Sequence, residues 1–269
     1  MKIIAIGNQK GGVGKTTTTV NLAAGLVQHG KRVLCLDLDP QSNLSSCLGY
    51  EPDGQPTISE LILAEAAPAM VPGALPPLKA CIRHNAEGID YLPSSLLLAS
   101  ADIFLAGVMM RECTLARILA RGLADGDYDY LLIDCLPSLG LLLTNALAAA
   151  DGLIVPVQTQ KLSADGLELF LPVVRSAQQS LNPRLKVYGV LPTMCDNTAM
   201  SEAVLALLRE SYGDLTFETV ISRSVAAANS SNQQTSLISD AGKKREGKLG
   251  REYLAFTDEF LARAETEGL

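Results

Sequence analysis

Residues 3–17 read IIAIGNQKGGVGKTT, and this stretch decides the fold. An apolar run of strand length is followed by a loop with several glycines and then by a segment that reads as a helix. Glycines let backbone N–H groups turn inward around an anion, and the N-terminus of a helix adds a partial positive charge. The order of strand, glycine-rich loop and helix therefore predicts a phosphate-binding loop in an α/β protein.

Individual loop positions suit the parts of a nucleoside triphosphate. Backbone amides would surround the phosphates, Lys15 would neutralise the outer ones, and the Thr16 hydroxyl would bind Mg²⁺. A tight turn without function would explain the glycines, but it would not explain the lysine and threonine that follow them. We therefore predict ATP/ADP and Mg²⁺ as cofactors, bound by Gly11, Gly12, Val13, Gly14, Lys15, Thr16 and Thr17.

Apolar runs of strand length alternate with helical segments along the chain. Strands are predicted at residues 3–7, 33–37, 89–92, 130–134, 153–157, 187–191 and 217–221, and helices at 15–29, 96–105, 114–123, 139–149, 162–180 and 199–211. Most of the strand runs are continuously apolar, as in strands that are buried on both faces. This pattern predicts an α/β P-loop NTPase fold in one domain over residues 1–269. We expect a twisted, mostly parallel sheet of about seven to eight strands with helices on both faces.

The bulk composition narrows the classes of function. The net charge is −7, so contact with nucleic acid would need a local basic patch. No apolar stretch is long enough to span a membrane and no secretory signal is visible, which favours a cytoplasmic protein. The six cysteines have no CxxC spacing and no neighbouring histidine, which favours buried thiols over a metal or disulfide framework.

The loop departs from the standard P-loop pattern in a specific way. Gln9 stands where that pattern has its first glycine, and an additional lysine, Lys10, lies inside the loop. The segment KGGVGKTT resembles the deviant Walker A motif of the ParA/MinD ATPases. Three further segments resemble motifs of the ParA/Soj partition ATPases in the same order: DLDPQ at 37–41, YLLID at 130–134 and DGLIVPVQTQKLSADGL at 151–167. The resemblance extends from residue 1 to about residue 221.

This resemblance implies an ATP-dependent homodimer that holds two nucleotides between its subunits. Lys10 would reach the phosphates bound by the partner, and Asp39 would orient the attacking water. Asp134 would hold Mg²⁺ through water, and Asp37 would act around the water shell of the metal. Residues 192–196 and 221–225 would form the adenine pocket. The implied catalytic residues are Lys10, Lys15 and Asp39, and the implied metal site is Thr16, Asp37 and Asp134.

The stretch with which relatives bind DNA differs in this chain. Relatives often carry IPRNVRLSEAP, whereas residues 221–231 read ISRSVAAANSS, so that Arg223 is kept and Ala226 replaces the second arginine. A basic cluster before the last helix could contact DNA phosphates without sequence preference instead. The predicted DNA-binding residues are Arg223, Lys243, Lys244, Arg245 and Lys248; a solvated basic loop is the alternative.

Proteins that share these motifs have four kinds of function, and the sequence favours them to different degrees. A partition ATPase would dimerise on ATP, bind non-specific DNA on the nucleoid and hydrolyse ATP slowly under stimulation by a ParB-type adaptor. A second class would position a protein cargo or a division site, and its membrane-bound version is disfavoured because residues 252–269 are acidic. An iron–sulfur reductase would need a pair of cluster cysteines that the sequence lacks. A repressor would need a DNA-reading module, for which no room precedes the P-loop strand.

Overall fold

One seven-stranded sheet forms the centre of the protein. The computed structural model describes residues 1–66, 77–159, 161–240 and 247–266, leaving out the side chains of 161–165, 228 and 240. The strands lie in the order β3–β4–β2–β5–β1–β6–β7, and all neighbours are parallel except β3 and β4. The predicted α/β fold with a mostly parallel sheet is confirmed. The strands are β1 (Lys2–Ile6), β2 (Val33–Leu38), β3 (Arg83–His84), β4 (Asp90–Leu92), β5 (Tyr130–Cys135), β6 (Gly152–Gln158) and β7 (Lys186–Thr193).

Helices connect the strands across both faces of the sheet. The described helices are α1 (Lys15–Gln28), α2 (Asn43–Cys47), α3 (Ile58–Ala66), α4 (Ala101–Leu105), α5 (Thr114–Gly122), α6 (Leu141–Ala149), α7 (Lys161–Ser180), α8 (Ala199–Tyr212), α9 (Ala226–Gln233) and α10 (Lys248–Thr266). Short 3₁₀ turns lie at Leu78–Cys81, Leu96–Ser100, Arg111–Cys113, Gly213–Leu215 and Leu237–Asp240. Within the described ranges, no helix combines the length and the apolar character needed to cross a bilayer.

Each face of the sheet has its own hydrophobic core. Successive strand residues point to opposite faces, so a continuously apolar strand supplies both cores. In β2, Leu34 and Leu36 belong to one core, whereas Val33 and Cys35 belong to the other. The continuous apolar runs in the sequence therefore reflect burial on both faces.

The prediction of a strand at residues 217–221 is wrong. The segment forms no strand: isolated bridges lie at the residues that flank it, between Val190 and Thr216 and between Cys195 and Ser222. Its apolar character has a different cause, because Phe217 and Ile221 are buried in the core that lies under α10. The seventh strand is instead the two-residue β3, which is too short to show a pattern. Helices α2 and α9 were also not predicted, and the predicted helix 96–105 divides into a 3₁₀ turn and α4.

Helix α10 packs directly against α1. Gly25 of α1 lies so close to Thr257 of α10 that a side chain at residue 25 would clash with it. A Cβ atom placed there would lie 2.2 Å from Thr257 Oγ1. Phe260 of α10 contacts Tyr130 edge to face, with ring centroids 5.7 Å apart. The helix that follows the phosphate-binding loop and the helix at residues 248–266 thus share one close-packed interface.

Candidate nucleotide-binding site

The loop between β1 and α1 has the backbone geometry of a phosphate cradle. Gly12 and Gly14 have φ angles of +70° and +88°, in the left-handed region that residues with a side chain rarely adopt. Gly11 and Gly12 are exposed, while Val13 is fully buried and anchors the loop in the core. The glycines therefore permit the turn that directs the loop toward the N-terminus of α1.

Two side chains fix this loop to the neighbouring strands. Asn8 donates from Nδ2 to the Pro156 carbonyl at 2.7 Å and accepts from the Lys10 amide at 3.0 Å. Thr193, at the end of β7, donates to the Val13 carbonyl at 2.8 Å. Asn8 and Thr193 were not predicted as site residues, since their partners come from distant parts of the chain and leave no local signal.

Lys15 is held inside the loop. Its Nζ donates to the Lys10 carbonyl at 3.0 Å, and the residue is only 7% exposed. Burial lowers the pKa of Lys15, while the nearby Asp134, Cys135 and Asp39 act in the opposite direction. The Lys15 ammonium group thus lies inside the loop near Asp134 and Asp39, and its role in neutralising phosphates stays a prediction.

Thr16 connects α1 to the end of β5. Its hydroxyl donates to Asp134 Oδ2 at 2.7 Å, and the Thr19 hydroxyl approaches Asp134 Oδ1 at 3.3 Å. Oxygen atoms from a hydroxyl and a carboxylate are the ligand type that Mg²⁺ prefers, directly or through water. The two residues fit a magnesium ion, and Thr19 is an additional contact that the sequence did not reveal.

Two buried carboxylates lie side by side in the sheet. Asp37 of β2 is in register with Asp134 of β5, and each is 1% exposed. Burial raises the pKa of Asp134 to about 8, with a further contribution from the charge of Asp37. Burial also raises the pKa of Asp37 to about 6, although hydrogen bonds from Ser45 and Asp39 oppose this effect. This part of the site therefore favours a bound cation.

Asp39 lies at the edge of the site, directly after β2. Its Oδ1 accepts a 2.9 Å hydrogen bond from the Gln41 amide, and its charge raises the pKa of Lys15 and of Asp134. Both oxygens of Asp37 accept hydrogen bonds from protein groups, Oδ1 from the Asp39 amide and Oδ2 from Ser45. The roles assigned to Asp39 in water orientation and to Asp37 near the metal stay predictions.

The segments expected to form the adenine pocket lie together. Residues 193–194 and 221–224 line a cavity of about 200 Å³ together with Gly14 and Thr17 of the phosphate loop. Ala227, Leu249 and Tyr253 complete its wall. The cavity has both apolar and polar walls and adjoins the phosphate loop, and its assignment to the base of a bound nucleotide stays a prediction.

Of the predicted DNA-binding residues, Arg223 lines this cavity, and Lys248 directly precedes Leu249, which also lines it. Arg223 is exposed, and its amide donates to the Cys195 carbonyl at 2.8 Å. Lys248 forms an ion pair with Glu252 at 3.5 Å, and Glu252 accepts from Ser222 Oγ at 2.6 Å. The other three predicted residues, Lys243, Lys244 and Arg245, lie outside the described residues.

The cysteines behave as separate thiols. All six are free, and Cys135, which follows Asp134, is buried in the core. Burial raises the pKa of Cys135. Across the described ranges there is no group of three or more His, Cys, Asp and Glu side chains arranged to hold a metal ion.

Comparisons with known proteins agree with this geometry. A family model described as an AAA domain matches residues 1–187. The sporulation initiation inhibitor protein Soj of Bacillus subtilis is 42% identical over 226 residues, which are 83% of this chain and 85% of Soj. The chromosome partitioning protein ParA of Caulobacter vibrioides is 36% identical over 261 residues, which are 95% of this chain and 94% of that protein.

A solved structure extends the agreement to three dimensions. The crystal structure of cobyrinic acid a,c-diamide synthase from Mycobacterium smegmatis, with a bound ATP analogue and magnesium, matches with a TM-score of 0.80 and 35% identity. The match covers 100% of this chain and 97% of that one. With the phosphate loop, the additional lysine and the paired carboxylates in place, the chain belongs to the family of ParA/Soj-type ATPases.

Proposed function

We propose that this chain binds ATP with Mg²⁺ and hydrolyses it to ADP and phosphate. The observation that carries the proposal is the convergence of Lys15, Thr16 and Asp134 at the N-terminus of α1. Thr16 and Asp134 would hold the magnesium ion, which neutralises phosphate charge when it is bound. Lys15 would contact the outer phosphates, and the loop amides of residues 11–17 would surround the others.

Hydrolysis would depend on two residues at the edge of the loop. Asp39 would orient the attacking water, since it directly follows β2, whose Asp37 is in register with Asp134. Lys10 would reach across to the phosphates of a second subunit, which would make dimerisation depend on ATP. The exposed position of Gly11 and Gly12 leaves the outer side of the loop accessible to such a partner.

The cellular role that we propose is DNA partition. The ATP-bound homodimer would bind non-specific DNA of the nucleoid, and a ParB-type adaptor would stimulate hydrolysis and release it. The similarity to Soj and to the chromosome partitioning protein ParA supports this role. Arg223 and Lys248, with Lys243, Lys244 and Arg245 in the sequence before α10, are the proposed DNA contacts.

Co-sedimentation with non-specific DNA tests the proposal. The wild type, Lys10→Ala and Asp39→Ala would be compared with ATP, with ADP and without nucleotide, and dimerisation would be followed by light scattering. We expect the wild type to bind DNA only with ATP. Lys10→Ala should lose dimerisation and DNA binding, whereas Asp39→Ala should keep both and lose turnover. Equal DNA binding in all three nucleotide states would contradict the proposed switch.

A further inference from the structure

Ser45 lies at the centre of a buried chain of hydrogen bonds. Its amide and its hydroxyl both donate to Asp37 Oδ2, at 2.8 Å and 2.7 Å. The hydroxyl in turn accepts from the Ser94 amide at 3.0 Å. All three residues are at most 1% exposed. The hydroxyl of Ser45 thus points from α2 to β2 and to the segment after β4, rather than to its own helix.

The series of hydrogen bonds continues from Asp37 to Asp39, the proposed water-orienting residue. Asp37 Oδ1 accepts from the Asp39 amide at 3.0 Å, so one carboxylate holds the backbone of Asp39 while Ser45 holds that carboxylate. Asp39 Oδ1 then accepts from the Gln41 amide at 2.9 Å, which sets the direction of its side chain. A displacement of the Asp37 carboxylate would therefore reach Asp39 through one hydrogen bond.

We propose that Ser45 is a positioning residue for ATP hydrolysis, which acts by fixing Asp37 and through it the turn that carries Asp39. This inference rests on the proposed function, because it assigns Asp39 to the attacking water. Ser94 contributes through its backbone, which anchors the Ser45 hydroxyl to the end of β4. Placement errors of about 1 Å in a catalytic group can slow a reaction by about 100-fold, so such a chain has a measurable effect.

A merely structural role for Ser45 makes a different prediction. Loss of a helix contact would lower the thermal stability and would weaken nucleotide binding together with turnover. Loss of positioning would lower turnover and leave ATP affinity unchanged, because, among the described residues, the phosphate loop and the proposed magnesium ligands Thr16 and Asp134 make no hydrogen bond to Ser45. Comparing the change in turnover with the change in ATP affinity therefore distinguishes a positioning role from a structural one.

The test compares single-turnover hydrolysis and ATP affinity in four proteins. Ser45→Ala removes the hydroxyl, Ser45→Cys replaces it with a somewhat larger thiol that is a weaker donor, and Ser46→Ala removes an exposed hydroxyl that donates to the Ser42 carbonyl at 3.0 Å. We expect Ser45→Ala to slow hydrolysis by about tenfold to 100-fold with unchanged ATP affinity. Ser45→Cys should be intermediate, and Ser46→Ala should match the wild type.

The outcomes distinguish this inference from the function on which it rests. Hydrolysis at the wild-type rate by both Ser45 variants, or a parallel loss of affinity and rate, would overturn the positioning role alone. If Ser45→Ala does not fold, the rate and the affinity of Ser45→Cys decide the question. A wild type that binds ATP but never hydrolyses it would overturn the proposed function, and the role of Ser45 with it.

Discussion

The hydroxyl of Thr16 donates a 2.7 Å hydrogen bond to Oδ2 of Asp134, which joins the first turn of α1 to the end of β5. The two residues are 118 positions apart in the chain, and the parallel pairing of β1 with β5 brings them together. Ile6, the last residue of β1, is in register with Asp134. The proposed magnesium site therefore depends on the register of two strands as much as on the loop.

Removal of the Thr16 hydroxyl should weaken magnesium binding selectively. We expect Thr16→Ala to lower the affinity for Mg²⁺ in the presence of ATP by about tenfold to 100-fold, since one oxygen ligand is lost. Thr16→Ser keeps the hydroxyl and should stay close to the wild type. Calorimetric titration of the nucleotide complex with Mg²⁺ measures both variants, and equal losses in the two would contradict a role for the hydroxyl.

Asp134→Asn should stabilise the protein when neither metal nor nucleotide is bound. Because the pKa of Asp134 is raised to about 8 in the folded state, its ionisation opposes folding. Its stabilising contribution is complete below the unfolded pKa of about 4 and is lost as the pH rises toward 8. The asparagine variant avoids this loss, so its melting temperature should exceed that of the wild type increasingly from pH 5 to pH 8.

Thermal unfolding in the presence of a chelator measures this difference, with about 2–4 °C expected for each kcal/mol recovered. The exposed Asp125→Asn serves as the control for loss of one negative charge and should leave the pH dependence unchanged. The same Asp134→Asn protein should lose magnesium-dependent turnover. A variant less stable than the wild type at pH 8 would contradict the opposing effect of the buried charge.

Thr193 should control nucleotide affinity without contacting the phosphates. Thr193→Val removes the hydrogen bond to the buried Val13 carbonyl and leaves that carbonyl without this donor, at a cost of about 1–3 kcal/mol. Because this cost destabilises the phosphate loop that holds Val13, ATP affinity should drop by about tenfold. Thr193→Ser retains the donor and serves as the control. Fluorescence titration with a labelled ATP analogue compares them, and an unchanged affinity in Thr193→Val would argue against the role of this anchor.

Ala226→Arg should strengthen binding to non-specific DNA. Ala226 begins α9, next to the exposed Val225 and three residues after Arg223, where relatives carry a second arginine. One additional phosphate contact should make the slope of log K against log salt steeper by about 1. Ala226→Gln has a similar reach without charge and should leave the slope unchanged. A salt titration of the ATP-bound protein on random DNA separates the two variants.

The strands and the phosphate loop could be predicted from the sequence because their signals are local. Continuous apolar runs such as residues 130–133 mark strands buried on both faces, and the glycines with Lys15 and Thr16 mark the loop. The run at residues 217–221 misled the prediction because burial of Phe217 under α10 produces the same apolar pattern as a strand. An apolar run indicates that its residues are buried, and it does not by itself show that they pair with a neighbouring strand.

The supporting contacts of the site could not be predicted because they are not local. Ser45 lies in a short polar helix, and its importance appears only when β2 and the segment after β4 place Asp37 and Ser94 on either side of it. Asn8 and Thr193 likewise reach partners that lie 148 and 180 residues away. The sequence around each of these residues does not show its hydrogen-bond partners, which become visible only in the folded structure.

The contact between Gly25 and Thr257 has a mechanical consequence. Because no side chain separates the two helices at this point, α1 cannot slide or tilt against α10 without a clash or a gap. The phosphate-binding end of α1, which presents Lys15 and Thr16, therefore belongs to a helix that is packed tightly against residues 248–266.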